Sequence, residues 1–171
     1  QVWYSKVRRA KNKREVEKML TKPYVGWTEF SLEGTASYSL SYFDDIAFEW
    51  VEQAIHGLET MLPFCVKGFL EPYRVLCVVS YWNCHIIVEN DEREPLKPDE
   101  VQTEYSHTSM LDFCKYLYQD ISGYVDEWVS FMDVVEKDNK KKRKQLLKML
   151  EKLKGLIEKR EERFGLDHCF F

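Results

Sequence analysis

Cys84-His85 and the acidic pairs Asp44-Asp45 and Asp126-Glu127 are the residues of this 171-residue chain whose types and spacing invite chemistry. A thiol beside an imidazole offers a nucleophile and its base, and paired carboxylates offer a general acid and base. Neither arrangement stands up to its surroundings. Cys84 and His85 fall in an apolar β-type run, where neighbours point to opposite faces, so one cannot take the other's proton directly. A base would have to come from elsewhere, and His56 is the one histidine that a covering helix supplies. The acidic pairs read as helix caps and solvated faces, and nothing in the sequence brings them together. His56, His85, His107 and His168 are isolated from one another, and the five cysteines (Cys65, Cys77, Cys84, Cys114, Cys169) contain no CxxC pair. Paired metal-ligand spacing is therefore missing. No GxGxxG, HExxH or GxSxG motif occurs. The reading assigns no catalytic residue, no metal and no cofactor. Unpaired cysteines in apolar patterns behave as small hydrophobes, which implies reduced thiols and a cytoplasmic protein.

The elements that would position any site come from periodicity. Arg74 to Glu89 encloses an uncharged, β-branched and aromatic stretch, too long for one strand. A hairpin turning at Trp82-Asn83 is predicted, apolar on both faces and so covered above and below. Trp27–Leu32 and Thr35–Phe43 flank Glu33-Gly34 as another hairpin, with Ala36, Tyr38, Leu40 and Tyr42 on its apolar face. Phe64–Leu70 gives a further strand. Asp44–Leu62 repeats apolar residues at helical spacing and covers the sheet. Asn90 to Glu104, with two prolines and a dense run of carboxylates, reads as a surface loop. A helix follows the Ser106–Ser109 caps, breaks near Ser122-Gly123 and resumes toward Val135. A basic helix over about 140–163 folds back on the domain, joined through a basic hinge at Asp138-Asn139 or by a continuous exposed turn. Residues 6–20 read as a basic surface helix stopped by Pro23. The whole is a single α+β domain with an antiparallel sheet of about five strands.

Charge carries the functional argument. The net of −4 conceals three blocks. Residues 1–22 hold eight Lys/Arg against two Glu, a net of +6. Residues 23–135 hold five against twenty Asp/Glu, a net of −15. Residues 136–171 hold twelve against seven, a net of +5. Excess like charge opposes compaction, and an acidic surface steers a basic partner into place. The expectation is a non-catalytic protein-binding module whose acidic face docks on a basic protein, in the manner of an inhibitor or immunity protein that neutralises a toxin such as a nuclease. Asp44, Asp45, Glu49, Glu52, Glu89, Asp91, Glu92, Glu94 and Trp82 are the expected contact residues. Trp27 and Tyr105 are further candidates for surface aromatics, which contribute area at low entropy cost. A nucleic-acid partner for the Lys140–Lys144 run is the alternative, disfavoured because the acidic body repels phosphate. No apolar run reaches the length of a membrane-spanning helix.

Overall fold

In the computed structural model, which describes residues 8–9, 18–90, 96–132 and 136–167, the uncharged stretch folds into the predicted hairpin. The strands are β1 (Arg8–Arg9), β2 (Trp27–Phe30), β3 (Ala36–Ser41), β4 (Phe64–Phe69), β5 (Tyr73–Val79), β6 (Cys84–Asn90) and β7 (Gln102–Ser106). The helices are α1 (Ile46–Thr60), α2 (Met110–Ser122), α3 (Val125–Val129) and α4 (Glu136–Asp167). Strands β2 to β7 form one curled antiparallel sheet in chain order, and the short β1 pairs with β3 at Ser37 and Ala36. The fold is α+β.

The curl comes from a weak junction. β3 meets β4 through the single register pair Ser41 and Phe69. Beside it the Trp50 indole donates to the Lys67 carbonyl at 2.8 Å, so α1 takes over where strand pairing stops. Trp50 also stands edge-on to Phe30 at 5.1 Å and lies beside Phe113 of α2 at 6.2 Å, with Phe113 edge-on to Phe64 at 5.8 Å. Each aromatic pair contributes about 0.5–1.5 kcal/mol beyond area burial. Close approach of α1 to β4 depends on Gly57, where a Cβ would lie 2.2 Å from the Phe64 ring.

The sheet is covered on one face among the described residues. Val66, Cys77 and Ile86 share a register row, as do Phe64, Val79 and Cys84, and all are buried. The opposite rows, Cys65-Val78-His85-Tyr105 and Lys67-Leu76-Ile87-Thr103, are half-buried or exposed. The expected second cover is corrected accordingly: cross-strand neighbours shield Val78, Leu76 and Ile87 laterally instead.

Two further expectations are revised. The predicted helix over 6–20 is not helical where it is described. Arg8–Arg9 is a strand, and Leu20 forms a bridge with Phe30, extending a hairpin that turns at Val25-Gly26. The Asp120 carboxylate holds this segment by accepting the Met19 and Leu20 amides at 2.8 Å each. Residues 10–17 of that prediction lie outside the described residues. The loop expected from Asn90 to Glu104 contains the start of β7, whose inward residues, Glu104 and Ser106, are polar and so gave no alternating signal. Glu104 accepts from the Tyr38 hydroxyl and the Ala36 amide. Of the two junctions expected before the terminal helix, the continuous exposed one is formed: α4 runs unbroken through Lys137–Lys144. Ser109 does cap α2, accepting the Asp112 amide at 3.1 Å, and Gly123 ends that helix as predicted.

α4 forms an outer layer over α1, α2 and α3. Leu146, Leu150, Leu153 and Ile157 make its buried stripe. Arg160 closes its far end by donating to the Leu58 carbonyl at 2.9 and 2.6 Å, on the exposed carbonyl end of α1.

Candidate protein-docking surface

α1 determines where the acidic residues gather. Its apolar stripe (Ile46, Ala47, Trp50, Val51, Ala54, Ile55, Leu58) faces the core, which leaves Glu49 and Glu52 outside it, one and two turns from Asp45. Asp44 and Asp45 precede the helix, yet neither side chain performs the expected capping role, since no side-chain cap bond forms. Asp44 turns inward, 5% exposed, with one oxygen 3.1 Å from Lys67. Its other oxygen has no hydrogen-bond partner among the described residues. Asp45 reaches Lys142 of α4 at 3.3 Å. Glu49 is half-buried, and burial, then the charge of Asp44, pushes its carboxyl above the ordinary value, with Asp45 and Glu52 adding to the rise and Lys67 opposing it. Glu52 is exposed. Four of the predicted residues therefore share one patch.

The others are dispersed. Glu89 pairs with Arg74 on the open sheet face. Trp82 is 67% exposed at the β5–β6 turn, at the far end of the sheet from Arg74, roughly 20 Å away at the rise of an extended chain. Beside Trp82 lies a smaller cleft of about 230 Å³ that includes Met61, Met110 and Arg160. Asp91, Glu92 and Glu94 lie outside the described residues.

The acidic patch continues into apolar surface that the sequence reading did not place there. Tyr42 and Phe43 are exposed and stacked at 5.0 Å, with Phe43 touching Phe69 at 6.0 Å. Tyr42 had been expected on the buried face of its strand. The alternation ends one residue early, so Ser41 is buried in the β3–β4 junction and Tyr42 falls in the turn after the strand. Next to it the Val25-Gly26 turn carries exposed Tyr24 and Val25. The signal that could have found this turn is the X-Gly dipeptide between Pro23 and the apolar run from Trp27.

No known protein family, curated protein or solved structure matches the chain. Cys84 and His85 do occupy opposite faces of β6. The Cys84 thiol faces the core and donates to the Thr108 carbonyl at 3.4 Å, while the His85 ring stacks on Tyr105 at 4.2 Å on the open face. A hydrogen bond to Cys84 and burial push the neighbouring Cys77 thiol well up, and burial does the same to Cys114. These thiols are held protonated, as packing groups. Among the described residues no three His, Cys, Asp or Glu side chains are placed to hold a metal ion.

The basic run is partly engaged by the domain itself. Lys142 and Arg143 pair with Asp45 and Asp126, Lys152 with Glu59, and Lys115 with Glu161. Lys142 also lies 5.6 Å from the centre of the Phe48 ring.

Proposed function

We propose that this chain is a non-catalytic binding module that docks on a cationic protein through the start of α1 and the adjoining aromatic surface. The observation that carries the reading is the juxtaposition of Asp45, Glu49 and Glu52, above the buried Asp44, with the exposed Tyr42–Phe43 pair. Burial first, and then the like charge of Asp44, raise the Glu49 pKa against the pull of Lys67, and an incoming cation would relieve the like-charge part of that cost. Stacked exposed aromatics supply the apolar area that charge alone lacks. In its most specific form the reading is an inhibitor or immunity protein for a toxin such as a nuclease, because an enzyme built to hold phosphate presents the positive field this surface complements.

The test begins with a partner purified on the immobilised chain and continues with association kinetics. Glu49→Lys together with Glu52→Lys should slow association at least tenfold at low salt and leave the thermal midpoint within a few degrees. The wild-type rate should fall as ionic strength rises and the Debye length contracts from about 30 to about 8 Å. An acidic partner, or a rate indifferent to salt, rules the proposal out.

A further inference from the structure

Tyr24 and Trp27 exchange backbone hydrogen bonds of 2.9 and 3.0 Å around the two-residue loop Val25-Gly26. Both loop residues have positive φ, 48° at Val25 and 75° at Gly26. That is a type I′ hairpin turn, in which Asn-Gly is favoured because Asn tolerates the left-handed region. A β-branched residue does not: its Cβ substituents crowd its own backbone, and such residues are conformational outliers. Burial offers no compensation, since Val25 is 78% and Tyr24 79% exposed. Gly26 has a structural reason to be there, as a Cβ would lie 2.9 Å from the Tyr42 ring. Val25 has none within the fold, and strain kept at an exposed apolar tip is a mark of a binding site. Beside the turn opens a cleft of about 460 Å³ walled by Pro23, Val25, Tyr42 and Phe131, with Glu127 at its side, paired to Lys22 at 2.7 Å.

We propose that Val25, with Tyr24 and this cleft, is the apolar anchor of the docking surface and takes a large apolar side chain that a basic partner carries between arginines or lysines. The inference rests on the docking role proposed above and names its occupant. Charge complementarity selects that occupant. Tyr42 lines the cleft and stacks on Phe43, the residue before the four carboxylates, so a side chain seated in the cleft has its flanking residues within the acidic field. A second copy docked through this same face would bring the same negative charge against itself.

The experiment titrates the tripeptide amide Arg-Trp-Arg, with Arg-Ala-Arg as control, into the full chain and follows backbone amide shifts by NMR. Expected are shifts at Tyr24 to Trp27, Tyr42 and Phe131 as well as at Asp45 to Glu52, and tighter binding of the tryptophan peptide. Val25→Asn should raise the thermal midpoint by a few degrees while weakening the tryptophan peptide at least fivefold and sparing the alanine control. A Val25→Asn chain that is less stable, or that binds the tryptophan peptide as before, overturns the anchor. Shifts confined to the carboxylates overturn it too, and leave the charge-based docking role standing. Glu52→Lys without effect on either peptide, beside an intact Val25 effect, sinks the charge-based role instead.

Discussion

Glu49 shows how one residue's chemistry is decided by its neighbours. On the helix alone it is an exposed carboxylate; in the fold it is half-buried beside Asp44, and burial and that like charge raise its pKa above the ordinary carboxyl value. A carboxyl whose folded pKa exceeds its unfolded one binds extra protons in the folded state between the two values. Its contribution to stability is therefore favourable below the unfolded value and is lost as pH rises through the folded one. Glu49→Gln should make the chain more stable at pH 7, by about a degree or two in thermal midpoint. The advantage should vanish below about pH 3, where the carboxyl is protonated in both states. Melting curves of both chains at the two pH values decide the matter, and an equal difference at each would show that charge is not the cause.

At the scale of the element, β5 separates two valines that the sequence treats alike. Val79 is fully buried against the helices, whereas Val78 lies on the open face beside Cys65 and His85. An aspartate at 79 would be an unpaired charge without water, costing more than about 3 kcal/mol, and Val79→Asp should fail to fold. Val78→Asp keeps its carboxylate at the solvent edge and should lose about 1–2 kcal/mol. Circular dichroism and urea titration distinguish the two chains. If both collapse alike, the open face is covered by something and the one-sided description of the sheet is wrong.

Across the whole molecule, α4 is bound in two different ways. From Leu146 onward its buried leucines hold it, and truncating one, such as Leu153→Ala, should cost about 2–5 kcal/mol. From Lys137 to Gln145 no residue is fully buried, Asn139 and Lys142 being half-buried, and the ion pairs of Lys142 with Asp45 and Arg143 with Asp126 hold it there. Exposed pairs contribute about 0–1 kcal/mol each and weaken with salt. Hydrogen exchange should therefore run fast over Lys140–Lys144 and faster still in 0.5 M salt, with slow, salt-indifferent exchange from Leu150 to Ile157. Uniform protection along the helix would contradict this division. The same pairs place Lys142, from the basic C-terminal block, at the border of the acidic patch.

The sequence by itself determined the α+β class, the central hairpin, α1 and the acidic character of the body, because each is written in periodicity or composition. Val75, Cys77 and Val79 alternate; Trp50, Ala54 and Leu58 recur at helical spacing; carboxylates simply add. What it could not determine were features made by residues distant in the chain. Met19 and Leu20 look helical until the Asp120 carboxylate, some hundred residues on, takes their amides. β7 has polar inward residues because Glu104 answers Tyr38 and Ala36 across the core. Asp44 and Asp45 look like caps, but Lys67 and Lys142 draw them away. Glu89 and Trp82 belong to the same acidic body as Glu49, and the direction of β5 sends Trp82 to the opposite end of the sheet. Local pattern reports what each segment can bury; which charges meet, and which aromatics remain outside, is decided when separate segments compete for the same partners in space.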